Sequence, residues 1–127
     1  MRRTDQRRAA VVALYQGDVT GREPAELIEV EAKPFTRELV EGVQAHREEL
    51  DGLIGRYAEG WSLERIAPLE RNIIRVALHE LLHRDDVPAE VAIDEAVESA
   101  KVLCGADAPG FVNGILGTVH RERVGAS

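Results

Sequence analysis

Aliphatic residues and alanines in this chain recur three and four residues apart, and prolines and glycines cut that pattern into lengths too long for strands. β-Branched residues are not grouped into short alternating runs, and aromatic residues make up only 4%. The fold class expected is therefore all-α. A first helix is expected over residues 4–16, with Thr4 as its N-cap, Val11, Leu14 and Tyr15 as its core stripe, and Gly17 as its end. A short helix over 24–30 starts with Pro24 in its first turn. The segment 34–59 carries a stripe of Phe35, Leu39, Val43, Leu50, Leu53 or Ile54, and Tyr57, with a break or bend near His46. After Gly60-Trp61 a turn over 62–66 leads to a helix opened by Pro68, which stops before Asp85-Asp86. Pro88 starts the next helix, Gly105 closes it, and a last helix covers 108–123. About seven helical pieces with short links imply two packed sub-bundles within one domain spanning 1–127.

The 127 residues suffice to bury a core without staples. The single cysteine, Cys104, excludes an internal disulfide, fits a reducing compartment and reads as a small buried apolar residue rather than a nucleophile. No apolar run reaches about 18 residues, so no membrane span is expected. The basic N-terminus lacks a small-residue cleavage site, and a cytoplasmic protein is expected.

Net charge is −7, which taken alone argues against a nucleic-acid partner. Distribution matters more than the sum. Arg2, Arg3, Arg7 and Arg8 crowd the N-terminus against one acid, Asp5, while the other acids are spread along the chain. Arginines outnumber lysines fourteen to two. Arginine binds phosphate bidentately and stacks on bases, although a GC-rich genome produces the same ratio. Arg7 and Arg8 near a helix N-terminus oppose its dipole by about 0.3–1 kcal/mol each, which marks them as candidates for function.

One motif points to hydrolysis. His79-Glu80-Leu81-Leu82-His83 matches H-E-x-x-H, in which two histidines a turn apart bind zinc and the glutamate activates water. At about 100° per residue, the apolar positions 69, 73, 74, 76, 77, 78 and 81 share one arc. His79 and His83 fall opposite it, beside Asn72 and Arg75, and are expected to face water or a partner. Glu80 lies at the arc's edge, and no third ligand is close in sequence, His120 being the next histidine. Phosphate-binding loops, dinucleotide fingerprints and C-x-x-C are absent from the sequence. The expectation is a non-enzyme with no catalytic residue, cofactor or metal, and the zinc hydrolase is kept as a remote alternative.

Three stretches of the second half carry a resemblance. They are Glu70-Arg71-Asn72-Ile73-Ile74-Arg75-Val76-Ala77-Leu78-His79-Glu80-Leu81, Asp86-Val87-Pro88 leading to Ile93-Asp94-Glu95-Ala96-Val97-Glu98-Ser99-Ala100-Lys101, and Phe111-Val112-Asn113-Gly114-Ile115-Leu116. With Arg3 and Ala13-Leu14-Tyr15 they resemble the NusB family of transcription antitermination factors over nearly the whole chain. The resemblance implies binding of single-stranded boxA RNA from ribosomal RNA leaders, together with the small-subunit ribosomal protein NusE, within the RNA polymerase antitermination complex.

Carried over by position, it implicates Arg2, Arg3, Arg7, Tyr15, Asp107, Phe111 and, on a looser match, Arg84 in RNA binding. Glu64, Arg65 and Glu70 match the partner side. Arginines would hold phosphates, Phe111 would stack on a base or else anchor the last helix, and Asp107 would accept from a base edge. Asp94, Glu95 and Glu98 read as a solvated face, with Glu98 and Lys101 as an i,i+3 pair.

The chain also departs from the family pattern. Thr4-Asp5 interrupts the usual arginine run, Arg8 replaces a frequent acid, and Ala108-Pro109-Gly110 lacks a common basic residue before Phe111. Weak RNA binding without NusE is therefore expected. Some relatives form homodimers that cover the RNA surface, so a homodimer is a further implied partner, and a protein-binding scaffold without RNA is the main alternative. A NusB-like domain also fronts some ribosomal RNA cytosine methyltransferases, but no S-adenosylmethionine-binding domain is read in these residues.

Overall fold

α4 (Pro68–His83) is buried without interruption from Asn72 to Glu80, and every other helix is laid on it. A helix covered on all sides needs neighbours on all sides. The computed structural model describes residues 2–28 and 32–124 and supplies five: α1 (Arg3–Thr20), α2 (Pro34–Ala45), α3 (Arg47–Tyr57), α5 (Ala89–Leu103) and α6 (Ala108–Val119). Single 3-10 turns at Pro24–Leu27 and Leu63–Arg65 and a π turn at His120–Val124 complete the order. α1 and α2 pack on one side of α4, α5 and α6 on the other, while α3 spans α4 and α6. The two sub-bundles expected from sequence therefore exist and share α4 as their common member. Among the described residues, no helix is long and apolar enough to cross a membrane.

Leu14, Leu39, Leu50, Ile54, Ile73, Ile74, Leu78 and Leu116 are fully buried in one continuous core. Each contributes about 1.5–3 kcal/mol of transfer free energy. The predicted break at His46 is real, since that residue ends α2 and begins α3 with φ −108° and ψ 17°.

Three local expectations are corrected. α1 does not stop at Gly17 but runs on to Thr20 and ends at Gly21, whose φ of +76° is the left-handed conformation that favours glycine. Gly17 serves close packing instead, because a Cβ there would lie 2.7 Å from Pro24 Cγ. Thr4 is not the N-cap, a place taken by Arg2 without a side-chain bond, and its hydroxyl donates to Glu95 Oε1 at 2.8 Å. The helix expected over 24–30 is a single 3-10 turn, and its expected end at Glu29 and Val30 lies outside the described residues.

The face of α4 that the pattern assigns to solvent is also covered. Asn72, Arg75 and His79 are only 0%, 2% and 5% exposed. The missing partner is Asp18 on α1. Its carboxylate accepts from Arg47 at 2.5 Å, Arg75 at 2.7 Å, Asn72 at 2.9 Å and Arg71 at 3.2 Å. Arg75 donates its other edge to Asp51 of α3 at 2.7 and 3.0 Å. A buried guanidinium is tolerable only when paired and hydrogen-bonded in this way.

Burial alone raises the Asp18 carboxyl, but bonds from Arg47 and Asn72 and the charge of Arg75 outweigh it and hold the group at about 2. The folded state thus prefers the ionised form more than the unfolded chain does. Asp18 contributes its full stabilisation above the ordinary value of 3.8 and loses it as pH falls toward about 2. Replacing Asp18 by alanine removes the carboxylate that Arg71 and one edge of Arg75 share, and is expected to cost about 3–5 kcal/mol in urea unfolding at neutral pH. The variant's stability should also fall less steeply than the wild type's across that acid window.

Candidate nucleic-acid interface

Arginines from the start of α1 and the end of α4 converge on one ring. The guanidinium carbons of Arg3, Arg84 and Arg7 stand 4.1, 5.1 and 5.2 Å from the centroid of Phe35. Three cations around one aromatic ring require acids to separate them. Asp86 accepts from Arg84 at 2.9 and 3.0 Å and from Arg3 at 3.3 Å, and Glu38 accepts from Arg84 at 2.6 Å. Hydrogen bonding from Arg84 holds the Asp86 carboxyl at about 2, and the same bond raises the Arg84 guanidinium above its already high value. Arg2 is the most open of the set, with 83% of its side chain exposed and Asp5 at 3.9 Å.

Arg7 is not a surface cation. It is 6% exposed, and its Nε and Nη2 bind both oxygens of Glu80 at 2.8 and 2.9 Å. Glu95, 3.9 Å from Arg7 Nη1, adds a second acid. This corrects the phosphate role expected for Arg7, since its fork is spent on α4. The dipole cost that marked Arg7 as functional is offset inside the protein. Glu95 is likewise no part of a solvated face, being tied to Thr4 and near Arg7, whereas Glu98 does pair with Lys101 at 3.1 Å. Arg8 donates to Ser99 at 3.4 Å.

The same ion pair dismantles the hydrolase motif. Glu80 is 1% exposed and bound by Arg7, so it cannot activate water. His79 is buried rather than exposed, and burial, followed by the charges of His83, His46 and Arg84, holds its imidazole at about 4. His83 turns to His46 and Glu49, so the motif's histidines do not act as a pair.

The other predicted residues gather at the opposite end of α4. A recess of about 310 Å³ is lined by Trp61, Arg65, Ile66, Ala67, Glu70, Asp107 and Phe111. Phe111 is half-buried and meets Trp61 edge-on, with centroids 6.1 Å apart at 65°. Asp107 sits at the N-terminus of α6 with its side chain exposed and making no capping bond. Glu64 is exposed on the turn before the recess, and Tyr15 is half-buried on α1.

Residues expected to touch RNA (Asp107, Phe111) and residues expected to touch the partner (Arg65, Glu70) therefore share one hollow. Trp61, 51% exposed, lines the same hollow and was not among the residues singled out from sequence. Its signal was a lone tryptophan directly after a glycine, at a turn with no core stripe to claim it. α1 runs antiparallel to α4, with Arg7 on Glu80 at one end and Asp18 on Arg71 at the other. The arginine edge and the recess thus lie apart by roughly the length of α4, whose 16 residues span about 24 Å.

Comparison with known proteins matches the chain along its length. The sequence profile of the NusB family covers residues 4–121. The transcription antitermination protein NusB of Symbiobacterium thermophilum is 42% identical over 144 aligned positions, spanning 100% of this chain and 94% of that protein. Among solved structures, T. maritima NusB superposes with a TM-score of 0.86 at 35% identity, covering 96% of this chain and 92% of that one. A chain from the crystal structure of the antitermination factors NusB and NusE in complex with dsRNA gives 0.81 at 26% identity, covering 95% and 98%.

The geometry separates structural from surface arginines. Arg7→Ala and Glu80→Ala are each expected to lower unfolding stability by about 3–5 kcal/mol in denaturant titrations. Arg2→Ala is expected to leave it unchanged. Full stability in Arg7→Ala would return that residue to the surface set.

Proposed function

The chain belongs to the NusB family, and from that membership we propose that it is a transcription antitermination factor. In this reading it binds boxA RNA of ribosomal RNA leader transcripts jointly with NusE, as one RNA-binding domain acting in the cytoplasm within the polymerase antitermination complex. Whole-length similarity to NusB proteins carries the reading. Its activity is binding rather than catalysis.

The division of labour follows from the site. Arg2 and Arg3 hold phosphates at the arginine edge, with Arg84 supporting Arg3 through Asp86. Phe111, braced by Trp61, offers an aromatic surface to a base or sugar, and Asp107 accepts from a base edge. Tyr15 lies on α1 between the two ends. Glu64, Arg65 and Glu70 receive NusE. Because Arg65 and Glu70 line the same recess as Asp107 and Phe111, NusE docked there completes the RNA site. Joint binding is then tighter than the sum of its parts, by reciprocal coupling of the two ligands.

The acids work against binding by this chain alone. Arg3 and Arg84 are already partnered, and the net charge is −7. RNA therefore competes with Asp86 and Glu38 for the arginines, which makes affinity without NusE low and strongly salt-dependent. The same observation favours the scaffold reading, in which only NusE binds.

Fluorescence anisotropy decides between them, using single-stranded boxA RNA, a scrambled strand and a duplex, with and without NusE, at two salt concentrations. The adaptor predicts selective binding that tightens with NusE and weakens with salt. Arg2→Ala/Arg3→Ala is expected to weaken RNA binding roughly tenfold and flatten the salt dependence by about one to two released ions, with NusE binding intact. NusE binding with no RNA bound by either complex would establish the scaffold instead.

A further inference from the structure

A histidine cluster lies outside the arginine edge and the recess, at the junction of three helices. His46 closes α2, Glu49 stands in the first turn of α3, and His83 ends α4. One ligand atom from each lies within 4.8 Å of the others. The His46 and His83 rings stack with centroids 3.7 Å apart at 7°, and Glu49 Oε1 is 2.6 Å from His83 Nε2. Behind them is His79, its centroid 5.7 Å from both rings, with a buried Nδ1 that has no hydrogen-bond partner. The ring of His79 is held against Gly42, where a Cβ would come within 2.2 Å of it.

We propose that His46, Glu49 and His83 form a binding site for a divalent transition-metal ion of the zinc and nickel class. Two neutral imidazoles and one carboxylate are a donor set that such ions prefer, and three protein ligands leave room for water. His79 packs behind the site, its ring 5.7 Å from both His46 and His83.

An ion must lie in the plane of each ring that binds it, and two nearly parallel planes share no such point. One ring must tilt on binding. His83 can do so, its side chain being partly exposed at the last turn of α4. The set differs from the H-E-x-x-H pattern, keeping only His83 of its three defining residues and taking the rest from α2 and α3. Water-activating chemistry is not part of the proposal, since Glu80 belongs to Arg7. What an ion would do is tie the α2–α3 junction to the end of α4, next to Arg84.

The test uses the full chain, stripped with a chelator and titrated with Zn²⁺ by calorimetry, with thermal unfolding followed alongside. One Zn²⁺ per chain is expected, with a raised Tm, a similar response to Ni²⁺ and none to Mg²⁺, which prefers oxygen ligands. His46→Gln and His83→Gln should each weaken Zn²⁺ binding at least tenfold, and circular dichroism would verify that both variants fold. Glu48→Ala, on the neighbouring exposed acid, should bind as the wild type does. Absence of binding, or binding that survives both histidine substitutions, would overturn the proposal.

Discussion

Arg7, Arg71 and Arg75 carry charge into the interior of a helical bundle, and the acids that meet them decide how α1 lies on α4. Desolvating an ion costs several kcal/mol, recovered only when geometry and hydrogen bonding are nearly complete. Asp18 and Glu80 provide that completion at opposite ends of the same helix pair. Sliding or rotating α1 would strand a guanidinium at one end or a carboxylate at the other. Apolar packing between aliphatic stripes would tolerate such shifts far better. The two buried networks therefore set the register, and the register places the first residues of α1 beside Phe35, Arg84 and Asp86.

The sequence carried much of this in its periodicity. All-α class, the break at His46, the helix starts at Pro34 and Pro68 and the shared architecture were readable because each depends on residues close in sequence. What escaped depends on distant partners. Arg7 looked like a misplaced surface cation because Glu80 is 73 residues away, and Arg75 and Asn72 looked solvated because Asp18 is 57 and 54 residues away. Gly17 looked like a helix end because its packing against Pro24 belongs to the turn that follows. A helical wheel sorts residues by polarity and assigns the polar side to water. It fails where polar residues are buried in pairs.

The sequence named individual residues but not how the fold groups them. Exposed Arg2, the partnered Arg3 and Arg84, and the hollow holding Asp107 and Phe111 are two surfaces at opposite ends of α4. The hollow also holds residues assigned to the protein partner, and Trp61 lines it. On the proposed function, a factor that is acidic overall would hold RNA weakly alone and well with its partner: the arginine edge supplies charge that acids hold in check, and the partner would close the second contact.

Mapping backbone amide shifts by NMR, as single-stranded boxA RNA is added to the complex with NusE, tests this account most directly. Shifts are predicted at both ends of α4's length, around Arg2 and Arg3 and around Asp107 and Phe111, while the amides of Asp18, Arg75 and Glu80 stay still. Shifts confined to one end, or spread through the buried ion pairs, would contradict the picture of a rigid frame presenting two surfaces to one strand.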